Sequence, residues 1–248
     1  MGVATLLTSQ SLNFHVSALP ASPAPTTVHK RERRKQARPG ELLDAALDLF
    51  VEKGYAATKV DEVAARAGVS KGTLFLYFQS KEELFKAVVR ENIIGRFAEW
   101  DQDFTQFQGS TADMLRHCFT TWWEHHGATR ASGITKLMLS EAGNFPEITR
   151  FYQREVVEPV QQLVRRILER GMERGEFRRL NLDNAVFVVQ APMMFLMLWK
   201  HSFGICMPDA LGITPQTYID TQVDNLLHGL VVRPPTPPAP STALNPKP

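Results

Sequence analysis

Apolar residues recur along this 248-residue chain at intervals of three and four, the period of helices packed by one face. No stretch alternates apolar and polar positions between hairpin turns, so no strand is predicted. In PGELLDAALDLFVEKGY, residues 39–55, Leu43, Ala46, Leu47 and Phe50 repeat at helical spacing. Pro39 and Gly40 open that helix, and Gly54 stands where a left-handed residue closes one. In residues 58–84, Val60, Val63, Ala64 and Ala67 make one apolar face and Gly68 ends it. Ser70 is placed to cap a second helix over KGTLFLYF, and Ser80 with Glu83 forms a capping box that opens a third. Leu74 and Phe78, four apart, read as core positions.

Two short helices joined by a Gly-containing turn have the plan of a helix-turn-helix unit, whose second helix enters the major groove of DNA. Such a unit is too small to hide its own apolar faces, so the helix over 39–53 must pack on it. Residues 39 to about 90 therefore predict a compact helical head. The rest also reads as helix. A long one runs on from Lys81 to about Phe107, where Gln108, Gly109 and Ser110 break it. Ser110 and Asp113 box the next, which Gly127 closes, and a shorter one covers SGITKLMLSEAG. Pro146 opens a long segment kinked near Pro159, whose ring and missing N–H interrupt the ladder. Asn181 caps residues 182–203, and Thr214 with Pro215 opens a last helix over 216–231. The predicted organisation is a disordered basic tail over 1–36, a head over 37–84, a larger helical domain over 85–232 and a Pro-rich disordered tail over 233–248.

Charge sharpens the picture of the head. Residues 30–90 hold thirteen Lys and Arg against nine Asp and Glu, a balance of +4, whereas the whole chain is +2. The densest part, KRERRKQAR, lies just before the first helix, either as an arm on phosphates or in the minor groove, or as a solvated tail. The first 29 residues lack acidic side chains and lack the apolar core of a secretory signal, so they are expected to be a tail or an overextended start. Cys118 and Cys206 form no C-x-x-C pair, which argues against a disulfide framework or metal cluster and for a reducing cytoplasm. His117, His125 and His126 lack the spacing and companions of a metal site. No uninterrupted run of eighteen apolar residues predicts a membrane span. No G-x-S-x-G, H-E-x-x-H, P-loop or G-x-G-x-x-G motif points to catalysis, so the chain is read as no enzyme and needs no cofactor.

The strings A-x-x-L-F-x-x-x-G-Y-x-x-T (46–58) and V-A-x-x-A-G-V-S-K-G-T-L-F-x-Y-F-x-S-K-E-E-L (63–84) closely resemble the DNA-binding domain of the TetR family, the tetracycline-repressor-like and AcrR-like regulators. The match is strong over about a fifth of the chain and general beyond it. The resemblance implies an all-α fold, with the helix-turn-helix head joined to a larger effector-binding and dimerisation domain. It implies double-stranded operator DNA, a small-molecule effector and a second copy of the chain as partners.

At the start of the recognition helix, Ser70, Lys71, Gly72 and Thr73 are the first candidates for the groove. Lys71 suits guanine or phosphate, Gly72 lets the backbone approach, and Thr73 suits phosphate or a thymine methyl. The resemblance adds Phe75, where the family often has Tyr, with Tyr77 and Lys81 as phosphate contacts. It also adds Thr58 and Lys59 before the motif. Phe75 is read as contact or core, and Thr58 as contact or as a capping box with Asp61. The resemblance further implies that residues 182–203 and 215–231 pair with their copies; the alternative is that they cover the domain's own core. Phe119, Trp122, Trp123, Met138, Met194, Met197 and Trp199 could line an apolar effector cavity or fill the core. The reading is a dimeric regulator, a repressor released by a small apolar effector; the rival is an activator or an effector-independent nucleoid or division protein.

Overall fold

Helices end in this chain where glycine, proline and short polar side chains dictate. The computed structural model describes residues 27–206 and 214–230, with side chains from Pro39 onward. The tail positions 1–26 and 231–248 lie outside the described residues. The chain divides after Arg38 into two units, and the helices and cores built from Pro39 onward belong to the second.

The first helix, α1 (Thr27–Ala57), starts well before Pro39. Residues 27–36, expected in a disordered tail, are therefore helical in backbone. A Lys- and Arg-rich stretch with no apolar face gives no periodic signal, so its helicity was not readable from spacing. Gly54 breaks α1 with φ of +83°. A side chain there would also displace the Glu141 carboxylate, so the backbone itself favours glycine and its neighbour is arranged around one.

Helices α2 (Val60–Arg66), α3 (Lys71–Phe75) and α4 (Lys81–Asn92) follow. Gly68 makes the α2–α3 turn with φ of +66°. Ser70 Oγ accepts from Thr73 N at 3.1 Å and Ser80 Oγ from Glu83 N at 3.1 Å, so both caps form. The second helix is shorter than KGTLFLYF suggests. Beyond Phe75 the chain tightens into a turn in which the Tyr77 and Phe78 amides both reach Leu74 O.

The expected continuous helix from Lys81 to Phe107 is overturned. Helix α4 stops at Asn92, whose side chain donates to Val88 O, and a 3-10 turn over Ile94–Arg96 precedes α5 (Phe97–Gln106). Two adjacent β-branched residues followed by Gly95 weaken the helix there, and burial of Ile93 fixes the bend.

The body continues with α6 (Thr111–Trp122), α7 (Ser132–Glu141), α8 (Pro146–Tyr152), α9 (Glu158–Glu173), α10 (Leu182–Lys200), α11 (Phe203–Cys206) and α12 (Pro215–Leu230). Ser110, Asn181 and Thr214 cap α6, α10 and α12 through side-chain oxygens. Two wide π turns interrupt the helices, Trp123–Gly127 after α6 and Gln153–Val157 before α9. The second absorbs the disruption expected near Pro159, which sits in the first turn of α9.

Two cores result. The first joins α1 to α4 with α7 and α8, through Leu42, Phe50, Leu74, Phe85, Ile134 and Phe151. Leu74 is fully buried and Phe78 packs against this core, as their spacing predicts. The second joins α6, α9, α10 and α12 through Leu115, Ile167, Val189, Met193, Val223 and Leu227.

Of the last two long helices, α12 buries its apolar stripe, Ile219, Val223, Leu226, Leu227 and Leu230, in the chain's own core, the alternative left open above. Helix α10, expected to be buried on most sides, leaves Phe187, Val188, Phe195 and Leu198 exposed, with Phe203 and Ile205 of α11 beside them. The stretch Leu182–Cys206 is long and apolar enough by composition to cross a membrane, a property that core helices of soluble proteins share. Although no unbroken run of eighteen apolar residues exists, its average passes because Asp183, Asn184, Gln190 and Lys200 are few.

Candidate nucleic-acid interface and body cavity

The outer end of the head is built by α2, α3 and the turn after α3. Lys71 and Asp61 pair across α2 and α3 at 2.8 Å, both largely in water, so phosphate can replace the carboxylate at little cost. Gly72 is exposed, and a side chain added there would meet nothing closer than Ser70 Oγ at 3.8 Å. Thr73 and Ser70 share a hydroxyl contact of 2.9 Å at the surface. Lys59 is exposed as the N-terminal flank of α2. Phe75 is 40% exposed and Tyr77 36%, which settles Phe75 as a surface residue rather than core.

Leu76, absent from the sequence candidates, is 83% exposed between them. The signal for it was available: two residues past Leu74 and two before Phe78, it falls off the buried stripe. Three large apolar or aromatic side chains held outward in succession are costly unless a partner covers them.

Two expected contacts do not stand as expected. Thr58 is 1% exposed, and its hydroxyl donates to Gly54 O at 2.7 Å and Leu49 O at 3.1 Å. It ties off the end of α1 and forms no capping box, since α2 starts after Lys59 with no side-chain cap. Lys81 Nζ donates to the carbonyls of Tyr55, Ala56 and Thr58 at 2.9, 3.2 and 3.2 Å and lies 4.5 Å from the Tyr55 ring centre. Its ammonium neutralises the carbonyls of the α1–α2 junction, an engagement that a phosphate contact would have to share. Burial lowers its pKa from the usual lysine value, with Glu141 pulling the other way.

Glu141, the last residue of α7, holds the same junction from the other side. Its two carboxylate oxygens accept from Tyr55 N at 3.0 Å and Ala56 N at 3.1 Å. Arg130 adds an ion pair to Asp48 of α1. Head and body are thus joined by charge-assisted bonds to backbone, a long-range pairing that spacing cannot reveal.

The body contains internal space. A cleft of about 90 Å³ is lined by Leu115, Phe119, Leu163, Ile167, Val189 and Met193 among others. An adjoining lobe, also of about 90 Å³, shares Trp100, Trp122, Val160, Gln190 and Met194 with it and adds Phe97, His126, Thr135, Tyr152 and Met197. Of the apolar candidates read from sequence, Phe119, Trp122, Met194 and Met197 line these lobes. Met138 lies in the first core, Trp123 packs against the second, and Trp199 stacks between Phe195 and Phe203.

The second lobe is polar at one end. Tyr152 Oη and Thr135 Oγ1 are 2.8 Å apart, and Thr135 Oγ1 is 3.4 Å from His126 Nε2. Trp100 Nε1 and His126 Nδ1 are buried without a hydrogen-bond partner in the protein. Burial, helped by Lys200, His201 and Arg96, pushes the His126 pKa down to about 4, and burial pushes the Tyr152 hydroxyl up to about 12. Among the described residues no group of three His, Cys, Asp or Glu is placed to hold a metal.

Comparison with known proteins matches both parts. Residues 42–88 match the domain described as bacterial regulatory proteins, tetR family, and residues 107–203 match the tetracyclin repressor-like C-terminal domain. The transcriptional repressor KstR2 of Rhodococcus jostii is 30% identical over 194 residues, which cover 77% of this chain and 92% of that one. The transcriptional activator FasR of Mycolicibacterium smegmatis is 50% identical over 56 residues, but these span only 23% of this chain and 26% of FasR. Among solved structures, the regulator FadR of Bacillus subtilis in complex with stearoyl-CoA aligns with a TM-score of 0.64 at 21% identity, covering 77% of this chain and 98% of that one. The ketosteroid regulator KstR2 of Mycobacterium tuberculosis aligns at 0.61 and 23%, covering 79% and 96%. Those identities speak for the fold, while the Rhodococcus match runs through head and body alike. These relatives are transcription regulators rather than enzymes, and this chain is a DNA-binding transcription regulator of the TetR family.

Proposed function

We propose that the protein is a homodimeric repressor that covers a near-palindromic operator and leaves it when a small, mainly apolar effector enters the body cavity. The observation that carries the DNA-facing part is the outward cluster on and after α3, where Phe75, Leu76 and Tyr77 are exposed beside Lys71. Lys59, Ser70, Lys71, Gly72, Thr73, Phe75, Leu76 and Tyr77 form the contact surface. In this reading Lys71 meets guanine or phosphate, the apolar side chains meet thymine methyls, and Tyr77 bonds phosphate. Thr58 and Lys81 support that surface from behind.

The second copy is supported by the exposed face of α10, where Phe187, Phe195 and Leu198 fall on one side and continue into Phe203 and Ile205. The dimer so built would set its two recognition helices roughly 34–36 Å apart, one turn of DNA. The working compartment is the cytoplasm, where operator DNA lies.

A mobility-shift assay on DNA flanking the protein's own coding region tests the reading. Retention of one fragment that survives excess competitor, and its release by apolar small molecules, is the expected result. Retention that follows fragment length alone, or that no such molecule changes, refutes the repressor.

A further inference from the structure

The cavity's lining restricts what it can hold. Neither lobe includes a lysine or arginine, and Asp103 lines the first. Lys200, the cation that acts most strongly on His126, is engaged: its Nζ donates to Gly127 O and Thr129 O at 2.8 Å each and to Ser132 Oγ at 3.3 Å. Arg166 lines the neighbouring cleft beyond Trp100 and is paired with Asp101. An anionic head group brought into either lobe would meet no cation on its wall, which is costly in an apolar interior.

The polar end nevertheless asks for a partner. The Trp100 indole only donates, and Nδ1 of His126, a residue 4% exposed, has no protein partner either. Unanswered buried groups of this kind cost free energy, and any molecule that supplies an acceptor recovers it. Thr135 and Tyr152 already satisfy each other, which leaves the Trp100 and His126 nitrogens and the Gln190 amide to answer a guest at this end. Apolar side chains make most of the remaining wall, with Asp103, His117 and Thr121 in the first cleft.

We infer that the cavity takes an uncharged, largely hydrocarbon molecule with an oxygen function, a ketone, ester or alcohol. Its oxygen accepts from Trp100 Nε1 beside His126, and its hydrocarbon body lies against Leu115, Phe119, Leu163 and Ile167. Free carboxylates and phosphorylated head groups are excluded from the interior. This names the chemistry of the effector site proposed above and rests on that reading.

The test titrates the full-length protein with 2-nonanone, nonane and nonanoate, following the Trp100 indole N–H by heteronuclear NMR, with DNA affinity measured in parallel by anisotropy. The ketone is expected to bind and move the Trp100 N–H proton downfield; nonane should bind more weakly and leave that proton's downfield position unchanged. In Trp100→Phe the ketone should bind about tenfold more weakly while nonane binding stays unchanged. A Trp100 resonance unmoved by the ketone, or nonanoate binding tighter than the ketone, overturns the inference. The wild-type resonance decides even if the variant folds poorly. A ketone that engages Trp100 yet leaves DNA bound would uphold the ligand class and refute the effector role.

Discussion

The two cores of this molecule are built to opposite specifications. In the first, Phe50, Tyr55 and Phe85 meet with ring centres 5.2 to 5.8 Å apart, Phe145 closes on Tyr55 at 4.8 Å, and Phe50 and Phe85 are fully buried. In the second, α6, α9 and α10 stand around the first cleft and large side chains of α10 face outward; the adjoining lobe lies between the two cores, against Ile93, Tyr152 and Val156 of the first. A surface that reads DNA needs a fixed support, which a filled interior gives; space left in the body is what the proposed effector would need.

Core truncations give the largest contrast. Phe85→Ala should cost about 3–5 kcal/mol, because a filled cluster has nowhere to collapse, whereas Phe119→Ala, beside existing space, should cost about 2. Equal losses in chemical denaturation would erase the distinction between the cores.

Acid should weaken the body next. His126 has a folded-state pKa of about 4, lowered first by burial and then by Lys200, His201 and Arg96, and His201 is held at about 4 by burial, Lys200 and Lys136. Unfolded histidine takes its proton near pH 6.5, so the unfolded chain gains protons first as pH falls. Stability is therefore full above about pH 6.5 and declines toward pH 4, by on the order of 3 kcal/mol for His126. Thermal melts across that window should show the decline, and His126→Gln should flatten part of it.

Lys81→Ala comes third. Loss of three carbonyl contacts should lower stability by about 1–2 kcal/mol while leaving the salt dependence of DNA affinity unchanged. A slope reduced by one phosphate's worth would return Lys81 to the interface. The smallest effect on stability belongs to Lys71→Ala, whose melting curve should match the wild type; its slope against salt should fall by about one. An unaltered slope removes Lys71 from the contact surface.

The sequence was legible where structure is local. Caps at Ser70, Ser80, Ser110, Asn181 and Thr214, the glycine turns and the buried Leu74 all follow from rules that act within about four residues. It misled where a distant partner claims a side chain. Thr58 and Lys81 carry hydrogen-bonding groups and sit beside a DNA motif, but backbone carbonyls up to twenty-six residues away engage them. The break after Asn92 depends on weak propensities that the apolar face of Leu84, Phe85, Val88 and Val89 masks. The stripe of α12 could by spacing face a second copy or the chain's own core, and its packing with α6 and α10 is visible only in the assembled fold. Trp100 and His126 gave no signal at all, since burial without a partner is a property of the assembled cavity.

Glu141 and Lys81 clasp one short stretch of main chain from opposite sides, the carboxylate taking its amides and the ammonium its carbonyls. The clasp crosses the boundary at which a chimera would be cut. A graft of residues 39–92 onto a foreign body would keep its footing only where the new host offers an acid at the matching helix end, and the α1–α2 elbow would otherwise hang by half its fastenings.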